Sequence, residues 1–113
     1  MGHRALAKPE WQSYFDRISK GLAGRRAEIE VSGTGLGHQT EVKMAQLIGI
    51  TYDPKNDLVE IALEGLDHLI QHPREIYGVD GVEGLASMEI VDSERQKQIV
   101  KLSEPLMLSA PHR

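Results

Sequence analysis

The chain has 113 residues, enough for one domain around one core. It contains no cysteine, which excludes disulfides, thiolate nucleophiles and cysteine-bound metal and fits a reducing compartment. Its 17 acidic residues against 13 basic ones give a net charge of −4 with no block of like charge, which argues against nucleic acid or an anionic membrane as the main partner.

No apolar run approaches the roughly 18 residues of a membrane span, and the opening "MGHRALAKPEW" lacks the apolar stretch of a secretory signal. The expectation is a cytoplasmic protein with no membrane partner. Residues 1–8 read as a flexible N-terminus. The clearest element comes next: Trp11, Tyr14, Phe15, Ile18 and Leu22 recur at helical spacing, with Gln12, Ser13, Asp16, Arg17 and Lys20 on the other face. This predicts a helix from Pro9 to Lys20, with Pro9 in its first turn and Gly21 in the left-handed conformation that ends it. The stripe carries the single Trp and single Phe of the chain, so it reads as a plug on the core.

After Gly24 the period falls to two. Ala27, Ile29 and Val31 alternate with Glu28, Glu30 and Ser32, the pattern of a half-buried strand. A second strand spans Glu41 to Tyr52, with Val42, Met44, Ile48, Ile50 and Tyr52 on one face and Leu47 on the other. Gln46 breaks that parity, which predicts a bulge between Gln46 and Gly49. "DPKND" closes a hairpin, with Asn56 suited to a positive φ, and the returning strand places Val59, Ile61 and Leu63 on one face.

"LDHLIQHPREIY" reads as a short strand or irregular edge broken by Pro73, and "GVDGVEG" as a loop. "LASMEIV" and "QKQIVKL" form a final hairpin around "DSER". The tail "EPLMLSAPHR" carries an apolar patch between two prolines, which either docks or frays. Together these predict an α+β domain over residues 9–103. An N-terminal helix is followed by about six short, mainly antiparallel strands in a strongly bent sheet or small open barrel, with a C-terminal tail at 104–113. Met44, Ile48, Ile50, Val59, Ile61, Leu63, Met88 and Ile90 are expected in the core with the helical stripe.

Two stretches invite a chemical reading. "VSGTGLGH" places Gly33, Gly35 and Gly37 at every second position after a strand, as in phosphate-binding loops. A dinucleotide fingerprint needs a glycine where His38 stands and a helix where the chain shows a strand, so the loop reads as a connection between strands. The second stretch is "DHLIQHPR", with Asp67, His68, His72 and Arg74. On a helix, His68 and His72 would share a face and could hold zinc, but Gly65 and Pro73 argue against a helix there. On a strand the pair stands about 13 Å apart, too far for one ion. These four residues form the candidate binding surface, with Arg74 suited to a carboxylate or phosphate through two parallel hydrogen bonds. Asp80 and Glu83 lack the oxygen spacing of a calcium loop. No catalytic residue, cofactor or metal is expected.

The segments "WxxYFDRIS", "GITYD", "DHLIQHPREIY" and "EIVDSERQKQIVKL", in this order from Trp11 to Leu102, resemble a family of small bacterial proteins known only as a domain of unknown function. The resemblance implies a bacterial single-domain protein and brings no substrate, cofactor or catalytic residue. The expected function is a non-catalytic binding or interaction module, acting on an unknown protein partner or by self-association. The alternatives are a metal- or acid/base-dependent enzyme using His68 and His72, and an Sm-like RNA-binding module, for which Tyr52 and Tyr77 are the available aromatics.

Overall fold

A computed structural model of the protein describes residues 2–33, 37–81 and 84–106. The elements run β1 (Gly2–Ala5), α1 (Trp11–Leu22), β2 (Arg26–Gly33), β3 (Gly37–Asp53), β4 (Leu58–Leu63), β5 (Leu66–Gln71), β6 (Pro73–Gly81), β7 (Gly84–Asp92) and β8 (Lys97–Leu106), with a 3₁₀ turn at Lys8–Glu10. The strands make one antiparallel sheet in the order β1-β6-β7-β8-β2-β3-β4-β5, which does not close. Among the described residues the fold is therefore mainly β, with eight strands rather than about six.

The two additional strands pair with each other. β1 lies in the segment expected to be flexible, and precedes the helix instead of coming after it. It is held to β6 from Ala5 opposite Tyr77 to Gly2 opposite Asp80. Arg4 clamps it by donating to both carboxylate oxygens of Asp80 at 3.1 Å each, a bidentate pair that holds the Asp80 carboxyl below its ordinary range. β6 takes in "PREIYGVDG", so the glycines expected to mark a loop lie within a strand. Gly78 allows a close approach there, since a Cβ would meet Arg4 Nη2 at 3.3 Å and Leu85 Cδ1 at 3.4 Å.

α1 buries Trp11, Tyr14, Phe15, Ile18 and Leu22, the stripe read from the sequence. It runs through Gly21, which therefore does not terminate it. The positive φ falls at Gly24, at +88°, whose N–H donates to Leu47 O. Gly21 instead makes room for a neighbour, because a Cβ there would stand 2.8 Å from Leu106 Cδ1. Leu106, from the expected tail, is buried and extends β8. Residues 107–113 lie outside the described residues, as do Gly35 and Glu83.

β3 joins two parts of the sheet. Its first part pairs with β2 up to Arg26 opposite Gln46, and its second part pairs with β4 from Leu47 onward. The predicted bulge exists: Leu47 faces Leu63 and Gly49 faces Ala62, leaving Ile48 as the extra residue. Its effect on facing is the reverse of the expectation. Leu47, at 1% exposure, enters the core, while Ile48 is 60% exposed. Met44 is also exposed, at a φ of +40° beside a further register shift. A two-residue period cannot be carried through an inserted residue, since each insertion inverts the facing of the residues beyond it.

Beyond Gln46, β2 no longer flanks β3, and α1 takes its place. The side chain of Ser19 donates to Ile50 O at 2.8 Å and accepts from Ile50 N at 3.0 Å. Ile29, Leu47, Ile50, Ile61, Ile76, Met88, Ile90 and Val100 complete one core with the helical stripe. Each such side chain contributes about 1.5–3 kcal/mol on burial.

Candidate functional site

The segment "DHLIQHPR" forms the corner between β5 and β6. β5 is the last strand of the sheet, so the expected edge is there. The chain turns at His72, whose φ of +55° is uncommon outside glycine, and Pro73 starts β6, paired opposite Asp92. Glu75 faces Val91, so Arg74 is the extra residue of a bulge. That position carries Arg74 into solvent, and among the described residues it has no ion-pair or hydrogen-bond partner. Its neighbour Glu75 is engaged by the Tyr77 hydroxyl, which donates at 2.8 Å.

The two histidines belong to separate clusters. His68 points inward from β5, with its Nε2 2.6 Å from Gln98 Oε1 on β8. The buried Gln98 in turn donates through Nε2 to Asp92 Oδ2 at 3.3 Å. Asp92 Oδ1 accepts the N–H groups of Glu94 and Gln96 at the β7 to β8 turn. Because the Gln98 amide nitrogen faces a carboxylate, its oxygen faces His68, and His68 Nε2 must carry the proton. This chain of polar groups crosses the open side of the sheet from β7 and β8 to β5. A groove of about 250 Å³ opens beside it, lined by Leu69, Gln71, His72, Ser93, Glu94 and their neighbours.

His72 faces Asp57, which also has a positive φ, of +51°. The left-handed position in "DPKND" is thus Asp57 and not Asn56. The backbone N–H of His72 donates to Asp57 O at 2.8 Å, and its Nδ1 lies 3.4 Å from Asp57 Oδ2. The hydroxyl of Tyr52 donates to Asp57 Oδ1 at 2.7 Å, and Lys8 Nζ stands 3.9 Å from the same oxygen. The Tyr52 hydrogen bond, with His72 and Lys8 assisting against desolvation, holds the Asp57 carboxyl below its ordinary range. Burial, then the carboxylate, pushes Tyr52 up to about 12. A shallow cavity of about 520 Å³ lies alongside, lined by Lys8, Pro9, Gln12, Tyr52, Pro54 and Asp57.

Asp67 is exposed on the outer face of β5, opposite Ala62 of β4. Its hydrogen bond and negative charge raise the Glu60 carboxyl above its ordinary value. The structure therefore brings Asp67, His68, His72 and Arg74 onto one edge and corner but does not converge them on a point. Among the described residues no three His, Asp or Glu side chains come together as metal ligands. Nothing along the sequence singles out Tyr52, Asp57, Asp92 or Gln98 as partners of this segment. Asp57 is visible there only as a turn residue, and Gln98 lies 30 positions from the histidine it meets.

β5 itself carries the most distinctive property of the site. The two-residue turn Glu64–Gly65 makes Leu63 and Leu66 a hydrogen-bonded pair, and alternation directs the N–H and C=O of residues 66, 68 and 70 to β4. The His72 bond to Asp57 O continues the same phase. The backbone groups of Asp67, Leu69 and Gln71 therefore point away from the sheet. Leu66 and Leu69 are 49% and 50% exposed along this edge. No lysine, proline or bulge interrupts β5, although such devices ordinarily protect an edge.

A model of a family of unknown function, DUF5335, matches residues 2–111. An uncharacterised protein of Aquifex aeolicus (strain VF5) is 38% identical over 109 residues, covering 96% of this chain and 98% of that protein. No solved structure matches.

Proposed function

The chain belongs to the DUF5335 family, and from that premise we propose that it is a non-catalytic interaction module whose working surface is the β5 edge and the corner after it. An extended segment of a partner adds to β5, pairing with the outward groups of Asp67, Leu69 and Gln71, while Leu66 and Leu69 supply apolar contact. Arg74 recognises a carboxylate of the partner. The observation that carries this reading is the unprotected edge, six residues long with one charged side chain.

The alternatives receive less support. An enzyme using His68 and His72 as a pair needs both rings at one reacting centre, yet one is tied to Gln98 and the other faces Asp57. An RNA-binding sheet needs exposed aromatics, while Tyr52 is buried and Tyr77 is bonded to Glu75. No helix among the described residues is long and apolar enough to cross a membrane. The absence of cysteine supports placing the module in the cytoplasm.

The test uses Leu69→Pro. The Leu69 N–H points away from β4, so proline there blocks an added strand while sparing the β4 to β5 ladder. Wild type, Leu69→Pro and Arg74→Ala serve as baits in native extract, with thermal melting as the control for folding. Loss of captured chains in Leu69→Pro and weakening in Arg74→Ala are expected. Identical capture by all three folded baits would end the proposal.

A further inference from the structure

We infer that the strand added to this edge is β5 of a second copy, giving a two-fold dimer; the inference rests on the strand-addition reading above and names its partner. The edge is complementary to itself. An antiparallel two-fold centred on Leu69 pairs Leu69 with the partner's Leu69, Asp67 with the partner's Gln71, and Gln71 with the partner's Asp67. All three residues with outward backbone groups are then hydrogen-bonded, and no other register uses all three. The side chains agree with that register. Leu69, half exposed in the single chain, meets its own copy, and each Asp67 carboxylate receives a Gln71 amide. Centring on Asp67 instead would set two carboxylates face to face, which opposes pairing.

Charge outside the strand points to the same axis. Glu64, in the β4 to β5 turn, and Arg74, past the corner at His72, stand beyond the two ends of β5, both exposed, and neither side chain has a partner among the described residues. The antiparallel arrangement sets each Arg74 at the end of the interface where the partner's Glu64 lies, and Arg74, unpaired in its bulge and exposed, is available to it. At the Gln71 end of the edge a groove of about 250 Å³ separates β5 from the β7 to β8 turn. Such an interface is isologous and closes on itself.

The chain has no cysteine of its own, so single cysteines read the register directly. At the axis, Leu69→Cys places two Cα atoms about 5.5 Å apart, within the span of a disulfide. Gln71→Cys places them about 13 Å apart. Under mild oxidation Leu69→Cys should yield covalent dimer and Gln71→Cys should not, while an equimolar mixture of Asp67→Cys and Gln71→Cys should. Light scattering should give twice the 12.6 kDa mass of the chain, and Glu64→Arg or Arg74→Glu should raise the dissociation constant about tenfold. The double variant Glu64→Arg/Arg74→Glu should restore it. Leu69→Pro should be monomeric, with Leu69→Lys as the second edge variant if proline impairs folding. Efficient cross-linking of Gln71→Cys alone, or failure of the double variant to recover, would overturn the register. A monomeric wild type at millimolar concentration would overturn the second copy, and would leave strand addition standing if Leu69→Pro still abolished capture of other chains. Monomer together with unchanged capture would remove both.

Discussion

Replacing Ser19 with alanine tests whether α1 substitutes for a missing strand. The two Ser19 hydrogen bonds, at 2.8 and 3.0 Å, satisfy the N–H and C=O of Ile50, which point away from β4. Each bond contributes about 1 kcal/mol, and a buried group left without a partner costs about 1–3 kcal/mol. Ile50 is fully buried, but Ser19 is half-buried and admits some water. The better helix propensity of alanine returns a few tenths of a kcal/mol. The expected loss is therefore about 2 kcal/mol. At about 2.1 cal/mol/K per residue, 113 residues give an unfolding entropy of about 0.24 kcal/mol/K, so Tm should fall by about 8 °C. Urea unfolding followed by Trp11, the single tryptophan, gives the same quantity independently. Ser13→Ala, which removes an exposed bond to Glu10 O, should change stability by less than about 0.5 kcal/mol. If Ser19→Ala were as silent as this control, water would serve that edge as well as the helix does.

Leu47→Ala should cost about 2–5 kcal/mol and Ile48→Ala less than about 0.5 kcal/mol; similar losses measured in denaturant would mean the bulge does not set which side chain is buried. Tyr52→Phe should flatten the alkaline limb of the stability profile. The folded pKa of about 12 exceeds the ordinary 10.0, so this contribution is complete below pH 10 and is lost as pH rises toward 12. Asp57→Asn should act at the other end. Its folded pKa lies below 3.8, so the wild-type carboxylate stabilises above that pH and its contribution is lost as pH falls through the lowered value. The variant should be less stable at neutral pH with a shallower acid limb, and parallel acid limbs would contradict that assignment.

What was legible in the sequence was what depends on neighbours along the chain. The helical stripe, the hairpins around "DPKND" and "DSER", and the strand-to-strand role of the glycine loop all come from local period and turn chemistry. Two facts that needed distant partners were hidden. β1 has four residues, too few to show a period, and is defined by β6 some 75 positions later. Gly78 of β6 is favoured by Arg4 and Leu85, which a Cβ would crowd, contacts that composition does not encode. The bulge at Ile48 was visible as a break in period, but which residue it expels depends on the register with β4. At the candidate site the residue types and the edge were readable. So was the separation of His68 from His72, from Gly65 and Pro73; their partners were not, because Asp57 is met across the turn at His72 and Gln98 lies on a strand far along the chain.

The shortness of β1 bears on a hazard open to any unclosed sheet. A sheet that can accept strands at both ends can grow without limit, each copy offering its far end to the next, and the outcome is a fibre. Here the ends are unequal. One offers six residues, while the other offers four, tied down through the Arg4 to Asp80 clamp. A strand laid against the short end would gain few ladder bonds and would have to match a different sequence, "GHRA" rather than "LDHLIQ". The two ends are thus unequal templates, and the poverty of the opposite border works against end-to-end growth.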